Sequence, residues 1–299
     1  MNKTVLLMGP TASGKTELAV SLASKISSEI ISADSMQVYR HMDIGTAKPT
    51  QEQRKTAVHH LIDIVDPDEE WNVSIFNSKA KSISEKLLKR NVLPLIVGGT
   101  GLYLNAFIND YSFPIAPASG SIRQELMKKT AAELRKELET TDPAAASKIS
   151  PNDKKRTMRA LEVFLLTGTR ISELQKNRKR DDLVLICLVD ERQRIYERIN
   201  ERVDHMIDKG LIEEVEGLLR SGYSKELASM QALGYKETVE YLEGRLLKEE
   251  AVELIKKRTR NFAKRQISWF GRFEDVHNIN IAGGPKEAVA SIMALLPRG

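Results

Sequence analysis

Apolar residues in the first third of the chain fall into short runs and helically spaced sets that alternate. Thr4–Met8 (TVLLM) is an apolar run ended by glycine, which predicts a buried strand. From Thr16 to Ile26, Leu18, Ala19, Leu22, Ala23 and Ile26 recur on one helical face. Glu29–Ala33 predicts a second strand, ending at Asp34. Ser74–Arg90 reads as a helix, with Ile75, Phe76, Ala80, Ile83, Leu87 and Leu88 on one side. Leu93–Val97 predicts a third strand, stopped by Gly98-Gly99-Thr100-Gly101. Strand and helix in alternation predict an α/β core, a parallel sheet with helices on both faces.

The pattern changes after Asn109. Tyr111–Gly120 carries two prolines and a glycine with little periodicity and reads as a linker. From Ile122 to Arg180 the spacing is helical, with apolar faces at Leu126, Leu134, Leu138, Ala160, Leu161, Val163, Phe164 and Leu165. Strand character returns only at Leu183–Val189, and Gln193–Arg220 and Lys248–Arg272 are again helical and heavily charged. The organisation predicted is a core of residues 1–112 and 181–299 interrupted by an all-helical insertion over 113–180. No internal repeat or low-complexity tract is present.

Composition narrows this little. The chain of 299 residues is 41% hydrophobic and 29% charged, as in globular proteins, and no apolar run approaches the roughly 18 residues that span a bilayer. The apolar part of Met1–Met8 is too short for a secretory signal and runs straight into a glycine loop. The single cysteine, Cys187, rules out an intrachain disulfide and lies in an apolar run as a core thiol. A cytoplasmic protein with no membrane association is expected. The net charge of +5 matters through its distribution: Lys154–Arg156 with Arg159, Lys176–Arg180, and seven cations without an acid between Lys256 and Arg272. Several such stretches favour a polyanionic partner over merely solvated faces.

The chemistry begins at Gly9-Pro10-Thr11-Ala12-Ser13-Gly14-Lys15-Thr16, between a predicted strand and a predicted helix. Gly-x-x-x-x-Gly-Lys-Thr binds a phosphate chain. Its glycines let main-chain N–H groups turn inward, its lysine places a charge on the phosphate, and its Thr hydroxyl can ligate magnesium. The loop recognises phosphates rather than a nucleoside, so a small-molecule kinase using ATP fits it as well. In an open parallel sheet, loops at the carboxyl ends of strands share one edge. That places Asp34 and Gln37, and likewise Thr100, beside Lys15. Asp34 could bind magnesium, act as a base or cap a turn; Gln37 could read a base edge; Thr100 offers a hydroxyl to a phosphate or leaving-group oxygen. His59-His60 is not taken as a metal pair, since adjacent strand residues point to opposite faces. Trp71 and Trp269 read as packing residues, and Gly98–Gly101 lacks the spacing of a dinucleotide fingerprint.

GPTASGKT, DSMQVYR (Asp34–Arg40), DIGTAKP (Asp43–Pro49), HHLIDIVDP (His59–Pro67), VGGTGLY (Val97–Tyr103), RALEVFLLTG (Arg159–Gly168), QALGYKE (Gln231–Glu237) and RTRNFAKRQISWF (Arg258–Phe270) occur in this order. Together they resemble the successive blocks of the tRNA dimethylallyltransferases over nearly the whole chain. The resemblance implies a core like that of P-loop-containing nucleoside triphosphate hydrolases, and a helical insertion gripping a tRNA anticodon stem-loop. It implies transfer of a dimethylallyl group from dimethylallyl diphosphate to N6 of the adenosine 3′ of the anticodon, with Mg2+ at Thr16. Asp34 is then the base, Thr100 binds the leaving-group end, and residues 9–16 hold the diphosphate. Ser35, Met36, Gln37, Lys155, Arg156, Thr157, Met158 and Arg159 match tRNA-contact stretches, Lys155 standing where many relatives carry glutamine. Arg123 is a further expected contact, Lys257–Arg265 a further RNA face, and the protein is expected to be a monomer. The alternatives are a small-molecule kinase using ATP at the same loop and a relative that prenylates free AMP.

Overall fold

The computed structural model describes residues 3–111, 120–174 and 180–296. Most of the expected linker, 112–119, and the basic run Lys176–Lys179 lie outside the described residues. The chain divides into two compact units, Met1–Phe107 with Asp181–Gly299, and Ile108–Arg180.

The first unit is built on six parallel strands: β1 (Thr4–Met8), β2 (Glu29–Ser32), β3 (His59–His60), β4 (Pro94–Gly98), β5 (Leu183–Val189) and β6 (Val276–Asn280). Their order is β3-β2-β4-β1-β5-β6. In register, Val5 stands between Leu95 and Val184, and Leu7 between Val97 and Ile186. Both faces are covered, so β1, β4 and β5 are uninterrupted apolar runs rather than alternating ones. One face packs Val5, Leu7, Val97 and Ile186 against α1 (Lys15–Ile26) and α14 (Pro285–Leu295). On the other, α3 (Val73–Lys89) packs against β2 and β4. The Asn72 side chain caps α3 by accepting from the Ser74 and Ile75 N–H groups.

Several elements were not legible in the pattern. Helix α2 (Gln51–Thr56) buries no residue and is held by a capping box of Thr50 and Gln53. Strand β6 is an edge strand in which Ile279 alone is buried, so its polar sequence hides it. The helical stretch expected over Gln193–Arg220 is two helices, α10 (Arg192–Asp208) and α11 (Leu211–Arg220), broken at Gly210 with φ of 95°. With α12 (Tyr235–Leu242) and α13 (Lys248–Phe270), they bury Val38, Tyr39 and Met42 from the segment after β2. Helix α4 (Gly101–Ile108) leads out of the unit.

The second unit contains α5 (Gly120–Lys128), α6 (Ala131–Thr141), α7 (Pro143–Lys148), α8 (Lys154–Thr167) and α9 (Ile171–Leu174). It begins at Ile108 rather than near 113, and Arg180 closes it by donating its N–H to the Ile108 carbonyl. Leu126, Leu134, Leu138, Met158 and Leu161 form its core, whereas Leu165 is exposed. Buried Asp142 caps α7 at Ala145 and accepts from the Ser172 N–H and hydroxyl, tying α9 to α7.

Candidate active site

Residues 9–16 leave the carboxyl end of β1 and enter α1. The loop curls because Ala12 and Gly14 both adopt left-handed φ, 60° and 74°, with Ser13 between them. Gly14 is the N-cap of α1 and supplies no side-chain acceptor, so the N–H groups of the first helical turn remain for an anion. The Ser13 hydroxyl is buried with no hydrogen-bond partner among the described residues. Lys15 donates from Nζ to the Gly9 and Pro10 carbonyls at 3.0 and 2.6 Å. Burial, and then the nearby Arg202 guanidinium, hold its ammonium down at about 7, against an ordinary 10.5. Such a loop is short of negative charge, which suits it to a bound anion.

A chamber of about 320 Å³ is lined by the loop together with Asp34, Gln37, Arg202, Phe262 and Gln266. Asp34 Oδ1 accepts from the Met36 N–H at 2.8 Å and the Gln37 N–H at 3.2 Å. Turn capping therefore uses one carboxylate oxygen, and Oδ2 makes no hydrogen bond among the described residues. Asp34 thus caps a turn and still presents an oxygen for chemistry. Arg202 carries the countercharge, Asp34 favouring its charged form against burial.

Two expectations change. The Gln37 amide is engaged at both ends: Oε1 accepts from the Ser32 hydroxyl at 3.1 Å, and Nε2 donates to the Thr46 and Ala47 carbonyls at 3.3 Å. It anchors the segment after β2 and is not free to read a base edge. That segment is held from its other side by Glu214, whose carboxylate accepts from the N–H groups of Asp43, Ile44 and Gly45 and from the Tyr235 hydroxyl. Thr100 Oγ1 accepts from the Ser35 N–H at 3.1 Å and makes a long 3.5 Å contact with the Ser35 hydroxyl. It braces the Asp34 turn, its own proton directed only into that long contact with Ser35.

The two loops meet at Gly98, where a Cβ would stand 2.2 Å from the Ala33 carbonyl oxygen. Main chain lies against main chain there, so no side chain can give way. Gly98→Ala is expected to lower the unfolding midpoint and the turnover number together, at a cost of about 1–3 kcal/mol. Thermal melting with a steady-state assay checks this; an unchanged midpoint would contradict the close approach.

Magnesium is the ion expected at Thr16. Among the described residues, no three His, Cys, Asp or Glu side chains gather to hold a metal. Thr16 instead lines the chamber together with Glu17 and Asp34. That donor set suits an ion that keeps several waters and binds chiefly to phosphate oxygens, as Mg2+ does.

Arg202 and Gln266 stand outside the site residues expected from the sequence, and Phe262 was expected only within the Lys257–Arg265 RNA face. The signal was present: Arg202 follows Ile195 and Ile199 on the buried stripe of α10, and Gln266 lies between Ala263 and Phe270 on that of α13. A polar side chain on an apolar stripe has a partner inside the protein.

The basic stretches divide by exposure. On α13, Lys256 pairs with Asp204, Arg258 with buried Glu237, and Arg260 with Asn200, while Lys257, Lys264 and Arg265 are exposed. On α8, Lys155, Arg156 and Arg159 are exposed, but Thr157 and Met158 are buried in the core of the helical unit. Those two face their own helices, which corrects their expected place on an RNA-contacting surface. Arg123 is exposed on α5. Among the smaller expectations, His60 pairs with Glu29 and His59 with the Ala57 carbonyl, consistent with structural roles. Trp269 packs on Gly101. No described helix is long and apolar enough to cross a membrane.

Comparison with known proteins adds what geometry alone leaves open. A family model described as IPP transferase matches residues 37–273, and one described as Isopentenyl transferase matches residues 2–64. The chain is 52% identical over 289 residues to a tRNA dimethylallyltransferase of Thermotoga neapolitana, covering 95% of this chain and 94% of the relative. It is 46% identical to that of Pelotomaculum thermopropionicum, covering 99% and 96%. Among solved structures, the full-length tRNA isopentenylpyrophosphate transferase of Bacillus halodurans superposes with a TM-score of 0.74 at 40% identity, covering 99% of this chain and 97% of the other. A eukaryotic dimethylallyltransferase described as acting on tRNA superposes at 0.86 with 26% identity, covering 99% and 81%.

Proposed function

The chain belongs to the IPP transferase family, and from that premise we propose that it transfers a dimethylallyl group from dimethylallyl diphosphate to tRNA. The acceptor atom is N6 of the adenosine 3′ of the anticodon, and the products are N6-isopentenyladenosine and diphosphate. One observation carries the assignment of roles: the unengaged oxygen of Asp34 and the phosphate loop with Lys15 belong to the same chamber.

In the reaction, the bond between C1 of the allyl group and the diphosphate oxygen breaks, and its electron pair leaves with the diphosphate. The main-chain N–H groups of the loop, Lys15 and Arg202 receive that charge, and fixed donors aimed at developing charge are worth most in a site closed to water. The adenine N6 lone pair, delocalised into its ring, forms the new bond to C1. Asp34 Oδ2 accepts the N6 proton as that bond forms, so no cationic amine has to persist. Thr100, whose hydroxyl proton is held only by the long contact with Ser35, is proposed to bind the leaving-group end. The Thr16 hydroxyl would help to hold Mg2+, which would supply further positive charge to the leaving diphosphate. Chelation of the metal is expected to abolish transfer and added magnesium to restore it; full activity in excess chelator would contradict the assignment.

The adenosine has to leave its stack to reach the chamber. In the helical unit, exposed Lys155, Arg156 and Arg159 on α8 and Arg123 on α5 offer phosphate contacts for the stem-loop; on the first unit, Lys257, Lys264 and Arg265 of α13 are a separate exposed basic face. Ser35 and Met36, partly exposed beside Asp34, are proposed to meet the target nucleotide. Labelled dimethylallyl diphosphate, offered with unmodified tRNA or with AMP, tests the reading. Label is expected in tRNA and not in AMP. Equal transfer to AMP, or ATP turnover on a small acceptor without any prenyl transfer, would overturn it.

A further inference from the structure

Gln266 joins the two halves of the chamber. The phosphate loop follows β1, and the turn carrying Gly99 and Thr100 follows the neighbouring β4. From α13, Gln266 Oε1 accepts from the Thr11 N–H at 2.8 Å, and its Nε2 donates to the Gly99 carbonyl at 2.8 Å. The side chain is buried, and Gly99 has no room for another group: a Cβ there would lie 2.4 Å from Gln266 Nε2. A carboxamide carries an acceptor and a donor side by side. Here each serves the main chain of a different loop. Beyond Gly99, Thr100 reaches Ala33 through its N–H and Ser35 through its hydroxyl, and thereby the Asp34 turn.

We propose that Gln266 is a positioning residue for the transfer, setting the spacing between the loop that holds the leaving diphosphate and the turn that braces the base. It acts through Thr11 and Gly99. The inference rests on the transfer reading above. In-line displacement at carbon is steep in geometry, and a misplacement of about 1 Å can cost about 100-fold in rate. A residue that merely satisfied buried main-chain groups would affect stability and leave the rate per folded molecule unchanged.

Full-length Q266M and Q266E, assayed beside wild type, separate these roles. Q266M keeps the length of the side chain and loses both hydrogen bonds. Its kcat is expected to fall about 10- to 100-fold with KM for tRNA unchanged. In Q266E the ionised carboxylate still accepts from Thr11 but cannot donate to Gly99, whereas the protonated acid does both. Its rate relative to wild type is therefore expected to recover as pH is lowered. A wild-type kcat in Q266M would overturn the proposal, as would a loss that tracks the folded fraction while the Q266E pH profile parallels wild type. Hydrogen exchange at the Thr11 amide reads the clamp without turnover and is expected to accelerate in Q266M. If wild type transfers no prenyl group, the transfer reading fails by itself. Unchanged Thr11 exchange would sink the clamp whatever the activity.

Discussion

D34N is expected to lower kcat for transfer by about 10²–10⁴-fold while leaving tRNA affinity unchanged. The asparagine keeps an oxygen to accept from the Met36 and Gln37 N–H groups, so the turn stays capped. What it lacks is a basic second oxygen, the group assigned to the N6 proton. D34A removes both functions and should additionally destabilise the fold by about 1–3 kcal/mol, because two N–H groups lose a charged acceptor. The contrast between the variants separates base from cap. Single-turnover rates with tRNA binding and melting curves provide the check. A D34N enzyme of wild-type rate would remove Asp34 as the base.

The second large effect belongs to Lys15. Lys15→Met removes the one full charge within the loop, and loss of such a donor to a developing anion costs about 10²–10³-fold in turnover. Its ionisation adds a pH signature. The folded pKa lies near 7 because burial and Arg202 oppose the ammonium, while the unfolded chain retains that proton to about 10.5. Between these values the unfolded state binds more protons, so this group's contribution to stability rises with pH across the window. Below pH 7 the cost of the buried charge is fully present. Diphosphate favours the protonated amine, so its binding above pH 7 should take up a proton and weaken as pH rises. Calorimetry at pH 8 in buffers of differing ionisation enthalpy reads that uptake. It should vanish in K15M; equal uptake by the variant would assign the proton elsewhere.

How much of this was legible in the sequence depended on how local each feature is. The β1–loop–α1 unit is written in contiguous residues: an apolar run, glycines where φ turns positive, and Lys15 with Thr16 at the helix start. The sheet edge shared by Asp34 and Thr100 followed from parallel topology, because strand ends gather on one side. What the pattern could not supply is the direction of each side chain. Gln37 carries the right amide for a base edge, yet the Thr46 and Ala47 carbonyls occupy it. Thr157 and Met158 stand among exposed cations, yet helical spacing turns them inward. Arg202 and Gln266 come from distant helices, and their approach to the loop depends on packing that no local spacing encodes. Strand β6 escaped for the opposite reason, as an edge position asks for little apolar sequence.

The phosphate loop is proposed to cradle the diphosphate of an allylic donor whose acceptor is a tRNA adenine. Nucleoside analysis of unmodified tRNA, incubated with dimethylallyl diphosphate, magnesium and the wild-type protein, tests it most directly. Isopentenyladenosine is expected at the position 3′ of the anticodon, with one diphosphate released for each group transferred. Unaltered tRNA nucleosides, with ATP consumed on a small acceptor instead, would contradict it.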